Sequence, residues 1–154
     1  MNATSNFRSA RSSIFVATTL VLAAFSFSAT AQEVSFKLSG DAEVPPVTTS
    51  ASGTGTINVK PDMTVSGNVT TTGVAATMAH IHIGKAGTNG PVVFGLSRTG
   101  DNAWTVPEGT RLSEAHYQAY KAGELYVNVH SAENKAGEIR GQLTPTARST
   151  GSAY

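Results

Sequence analysis

Glu124 to Ser131 reads ELYVNVHS, apolar and polar residues alternating along almost its whole length. Side chains of a strand point to opposite faces in turn, so this period fits a half-buried β-strand and not a helix. Leu125, Val127 and Val129 take the core face, and Tyr126, Asn128 and His130 take the other. The same period recurs in Val34–Leu38, Gly53–Lys60, Met63–Thr71, Thr77–Ile83 and Glu138–Thr144, with a further short run at Pro91–Leu96. Gly, Pro, Asp or Asn stands between most of these segments. The short Pro61-Asp62 link makes the second and third an antiparallel hairpin. Pro45-Pro46 donates no ladder hydrogen bonds, which sends Gly40–Val47 to a loop or a sheet edge. Ser97–Thr110 reads as an irregular loop carrying Trp104. Only Ser113–Lys121, with a serine N-cap and Gly123 beyond it, reads as helix. The expectation is an all-β chain: an antiparallel Greek-key β-sandwich of about seven to eight strands with one short helix.

The 154 residues suffice for one domain. Residues 1–31 read as a signal peptide: Arg8 and Arg11, an apolar run from Ile14 to about Phe27, and Ala29-Thr30-Ala31 before Gln32. The run falls short of the roughly 20 residues of a membrane span. The expected division is a leader over 1–31, a domain over 32–144 and a polar, frayed tail over 145–154. Without the leader the chain holds nine basic and ten acidic residues. That near-neutral balance, with no basic stripe, argues against nucleic acid. With no cysteine in the chain, the exported domain must be held by its core alone.

Met78-Ala79-His80-Ile81-His82-Ile83 places Ala79, Ile81 and Ile83 on one face and Met78, His80 and His82 on the other. The two histidine Cα atoms are then roughly 6.5–7 Å apart, close enough for both rings to converge on one ion. His130 also lies on the non-core face of its strand. If the two strands are neighbours, three imidazoles meet on the outer surface of the sheet. Without thiolate, such a set suits copper or zinc and not calcium or magnesium. Exposed histidines on a polar sheet face would give the same pattern. Met78 offers a soft thioether favouring Cu(I), or else mere packing. Tyr126, Asn128 and Arg140 are candidates for supporting the ligands. His116, in the helix, reads as a solvated residue. No Ser/His/Asp or Cys/His nucleophile set is recognisable, and Gly84–Gly90 lacks the ending of a phosphate loop.

Five motifs in order, Leu38–Val47 (LSGDAEVPPV), Ala79–His82 (AHIH), Gly87–Val93 (GTNGPVV), Leu125–His130 (LYVNVH) and Gly137–Leu143 (GEIRGQL), closely resemble the CHRD domain, named from chordin and common in bacterial exported proteins. The resemblance spans about 33–144 and implies little about activity. Chordin's growth-factor contacts are attributed mainly to its other domains, so they do not carry over. A second, weaker resemblance is to copper–zinc superoxide dismutase, also a Greek-key β-sandwich. His80, His82 and His130 match three of its copper-ligand positions in order. A bridging histidine, zinc-loop ligands and cysteines have no counterpart here, so the resemblance implies copper binding and leaves dismutation unsupported.

The resulting expectation is a periplasmic or secreted protein with a surface metal site at His80, His82 and His130. Copper is the expected ion and zinc the alternative, with binding, storage or delivery of the metal as the role rather than turnover. The rivals are an extracytoplasmic protein-interaction module without metal and a superoxide-dismutase-like redox enzyme.

Overall fold

A computed structural model describes Met1 and residues 32–145. The rest of the expected leader over 1–31 and of the expected tail over 145–154 lies outside the described residues. Nine strands form: β1 Gln32–Ser39, β2 Ser52–Val59, β3 Val65–Thr72, β4 Ala76–Ile83, β5 Val92–Gly95, β6 Ser97–Gly100, β7 Ala103–Thr105, β8 Leu125–Ser131 and β9 Ile139–Leu143. One helix, α1 Glu114–Lys121, precedes β8, and Ser113 Oγ caps it by accepting from His116 N at 3.2 Å.

All the strand pairs are antiparallel and follow the order β5-β4-β8-β9-β1-β2-β3-β7-β6. β1, β2 and β3 form a meander, while the β8–β9 hairpin inserts between β4 and β1, the Greek-key arrangement expected from the sequence. The two halves of the sheet join between β9 and β1, paired at Ser39 and Arg140. β5 and β6 stand at opposite ends of this order, yet only Leu96 separates them in the chain. The sheet must therefore curl until its edges meet. Leu96 N donates to Ala79 O and Arg98 Nη2 to Ala76 O, both at 2.8 Å, fastening β6 to β4. A nearly closed sandwich results.

Its interior is filled by the faces that alternation assigned. Val34, Phe36 and Leu38 of β1 are buried between exposed neighbours, and they share one core with Ile57, Val69, Ile81, Val127 and Ile139. Two expectations need correction. Ser97–Thr110 is not an irregular loop throughout, because Ser97–Gly100 and Ala103–Thr105 pair as the β6–β7 hairpin. Strands of three and four residues are too short to show a period, and the Gly, Asp and Asn taken for loop signals form their turn. This raises the strand count to nine. Trp104 is buried, with the Arg98 guanidinium 5.2 Å from its ring centroid.

The second correction concerns β8. Tyr126, Asn128 and His130 lie on the non-core face, but every residue of the strand is buried. Gly40–Val47 and Gly84–Gly90 fold over that face, as shown by the bonds Asn128 Nδ2→Glu43 Oε2 at 3.4 Å and Gly90 N→Tyr126 Oη at 3.1 Å. A histidine site here is largely covered, with His82 and His130 buried and His80 of β4 half-buried at its open edge.

Ile57, 1% exposed, tests the core. Ile57→Ala is expected to cost about 2–5 kcal/mol, and Lys37→Ala, on the outer face of β1, to stay within about 0.5 kcal/mol. Urea melts read the difference as a shift in midpoint at constant slope.

Candidate metal centre

Register explains why the three histidines meet. β4 and β8 pair His80 with Asn128, His82 with Tyr126 and Met78 with His130. His130 thus stands diagonally across from His80, within reach of an imidazole. His80 Nδ1 lies 3.0 Å from His130 Nε2, and the ring centroids of His80 and His82 are 5.8 Å apart. One ring nitrogen from each of the three lies within 4.8 Å of the other two, a grouping that could hold a metal ion. His116 is not part of it.

Backbone carbonyls decide which nitrogens are free. His82 Nδ1 lies 2.9 Å from Gly90 O, and His130 Nδ1 lies 3.0 Å from Lys135 O. A carbonyl only accepts, so both Nδ1 atoms donate and each neutral ring keeps its lone pair on Nε2. His130 Nε2 then accepts from His80 Nδ1. His82 Nε2 has no partner although it is buried. An imidazole that donates one N–H to a carbonyl and turns its other nitrogen into a cluster of imidazoles has the geometry of a supported metal ligand. Two of the rings, His80 and His130, are also kept neutral. Burial holds His80 below the ordinary value of 6.5, with the charges of His130 and His82 acting the same way. Burial lowers His130 more than its bond to Lys135 raises it.

The Gly84–Gly90 turn builds one wall. A Cβ on Gly90 would strike the Ile83 carbonyl, so glycine is needed for the turn to lie this close to β4. Arg140, 1% exposed, reaches under the turn from β9. Its Nη1 donates to Thr88 O at 2.9 Å and its Nη2 to Lys85 O at 3.0 Å. The Arg140 guanidinium also sits 3.5 Å from the Tyr126 ring centroid, and Tyr126 stacks on His82 at 5.0 Å. Tyr126, Asn128 and Arg140, expected as outward-facing supports, are all buried. Tyr126 contacts His82, Arg140 contacts Tyr126, and Asn128 contacts Glu43.

Glu43 was not singled out from the sequence as a site residue, although it lies inside the Leu38–Val47 motif. It is 5% exposed and lines an open cleft of about 430 Å³ with Asp41, Pro46, Ala86, Arg140 and Gln142. Burial pushes its carboxyl up to about 7, against the lowering effects of Arg140, of Asn128 and of the Val44 backbone. Glu43 Oε1 and Asn128 Oδ1 are both buried without a partner. Both crowd the point where a Cβ on Gly137 would stand, and Gly137 has φ +143°, so glycine is required there on both counts. Two facing acceptors repel unless one gains a proton. A protonated Glu43 that donates to Asn128 Oδ1 while accepting from Asn128 Nδ2 removes both orphans.

The sign of the pH effect follows. A carboxyl raised in the fold binds its proton more tightly there than in the unfolded chain. Its stabilising contribution is whole below the unfolded value of 4.5 and is lost as pH rises toward and through about 7. Glu43→Gln, which keeps a neutral donor facing Asn128, is expected to match the parent's melting temperature near pH 5 and exceed it near pH 8.5. Parallel melting-temperature profiles for the two proteins would contradict the protonated pair.

No curated protein and no solved structure matches the chain. A family model does: that of the CHRD domain, over residues 34–143. This range runs from the third residue of β1 to the end of β9 and includes the histidines, the turn that Arg140 holds and the Glu43 segment. The chain belongs to the CHRD domain family.

Proposed function

We infer that this CHRD-domain protein binds one copper ion through His80, His82 and His130, with zinc as the alternative, and serves in binding, storage or delivery of the metal. The reading places it outside the cytoplasm, in the periplasm or secreted, after removal of residues 1–31 as a signal peptide. The folded domain would then run over 32–144, followed by the tail. No helix among the described residues is long and apolar enough to cross a membrane.

The observation that carries the metal reading is the buried, unpartnered Nε2 of His82 beside two further imidazoles. Leaving a buried polar atom without a partner costs free energy, and an ion shared by the three rings would remove that cost. The set is all nitrogen, which suits Cu or Zn. His82 and His130, already donating through Nδ1, would offer Nε2. His80 would have to turn a lone pair inward, exchanging its bond to His130 for one to the ion.

Copper titration of the purified protein tests this. His82→Asn and His130→Asn keep a donor near the Nδ1 position for Gly90 and Lys135 while removing Nε2, which separates loss of a ligand from loss of packing. These two variants and His80→Ala are each expected to weaken binding by more than about tenfold, the scale that even loss of an outer hydrogen-bond partner reaches. His116→Ala should bind as the parent does. Protons compete with the metal for imidazole, so affinity should fall on acidification, with its midpoint below 6.5 because His80 and His130 are held low. Parent-like copper binding in all three ligand variants would refute the site. A parent that binds no metal would favour the interaction module.

A further inference from the structure

We propose that Met78 is the fourth ligand of the three-histidine centre and that its thioether makes the site prefer Cu(I) over Cu(II) and zinc. The inference rests on the metal reading above and deepens it by assigning the oxidation state.

Met78 faces His130 directly across the β4–β8 pair and lies two residues from His80 on the same face of β4. Residues so paired have Cβ atoms about 4.5–5.5 Å apart, well within the reach of an unbranched thioether. Its surroundings count against a packing role. Met78 is 49% exposed, whereas Ala79 and Ile81, on the core face of the same strand, are 1% exposed. Apart from Met1, the exposed large hydrophobic residues of the described chain are Met78 and Val92, and Val92 pairs with His82. Both thus sit in register with members of the histidine cluster.

The cluster is open at His80, two residues from Met78 on the same face of β4. His80 is half-buried, and its partner in β5 is Gly95. A Cβ on Gly95 would meet nothing within 4 Å except the His80 ring. Beside Gly95, then, only the His80 ring stands near, and an ion entering there would leave solvent as the thioether folds over it. Thioether sulfur is a soft donor that selects Cu(I). A monovalent ion also suits a centre whose nearby buried charge, Arg140, is itself positive: less charge is left to compensate in a poorly solvated site.

The test compares the parent with Met78→Leu, a substitution of similar volume at an exposed position. Each protein is titrated with Cu(I) under anaerobic conditions against a competing chelator, and separately with Cu(II) and Zn(II). Met78→Leu is expected to lose about tenfold or more in Cu(I) affinity while Cu(II) and Zn(II) affinities stay within about threefold. X-ray absorption at the copper edge should show a sulfur neighbour in the Cu(I) parent and only nitrogen or oxygen in the variant. A variant that keeps the parent's Cu(I) affinity, or a Cu(I) parent without a sulfur neighbour, overturns the Met78 assignment while leaving the histidine site standing. A parent that binds neither copper state overturns both readings.

Discussion

The Arg140 guanidinium, buried to 1% exposure near the start of β9, holds together the wall on which the histidine cluster depends. Taking a charge out of water is costly unless hydrogen bonds replace the lost solvent. Arg140 finds Lys85 O, Thr88 O, Asn89 Oδ1 and Gln142 Oε1, and burial still lowers its pKa despite the opposing effects of Tyr126 and Glu43. Three of those oxygens belong to the Gly84–Gly90 turn, so satisfying the charge draws the turn onto the sheet. The drawn-in turn delivers Gly90 O to His82 Nδ1. On the other side, Tyr126 is held between Arg140 and the face of His82. One buried charge thus fixes both the hydrogen bond and the stacking plane of a single imidazole. A lysine, without a planar fork of donors, could not satisfy the turn in this way.

Much of this was legible one strand at a time. Period-two alternation gave the core faces of β1, β4 and β8 correctly, because it reports which side of a pleat each residue occupies. The pairing of His80 with His82 followed from the same rule, and Ser113 marked the start of α1. The strands β6 and β7 were hidden, since three or four residues carry no period. Coverage was hidden for a different reason. The polar face of β8 looks solvated because Tyr126, Asn128 and His130 are amphipathic or polar, but its partners come from residues 43, 90 and 135. What covers a face is a long-range fact, which alternation does not contain.

Lys135 O and Gly90 O show the same limit at atomic scale. Sequence spacing can propose that His82 and His130 converge, but the nitrogen each presents depends on which backbone carbonyl lies behind it. Neither Gly90 nor Lys135 would be chosen as a functional residue from its side chain. Each contributes only main chain, and glycine at 90 is required because the turn passes so close to Ile83. Motifs such as GTNGPVV therefore carry site information as backbone shape rather than as side-chain chemistry.

Charge links the two sides of β8. On one side stand His80 and His130, whose rings burial keeps neutral; on the other, Arg140 is positive and burial pushes the Glu43 carboxyl up to about 7. His80, Asn128 and Arg140 lie side by side across three strands, and Asn128 also contacts Glu43. Glu43, its carboxyl pushed up to about 7, is a nearby group whose charge changes when it gives up a proton. A cation seated among the histidines would favour its ionised form, and ionisation would in turn favour the cation, since coupling between two binding events is reciprocal. The magnitude scales with the charge of the ion. A divalent ion would draw more strongly on that proton and would also meet more of the repulsion from Arg140. A monovalent ion, separated from Arg140 by the Tyr126 ring, would leave Glu43 protonated and the Glu43–Asn128 pair undisturbed. For an ion held by the cluster, the buried arginine and the raised carboxyl would therefore bear on its charge, whereas the exposed thioether of Met78 would bear on its softness.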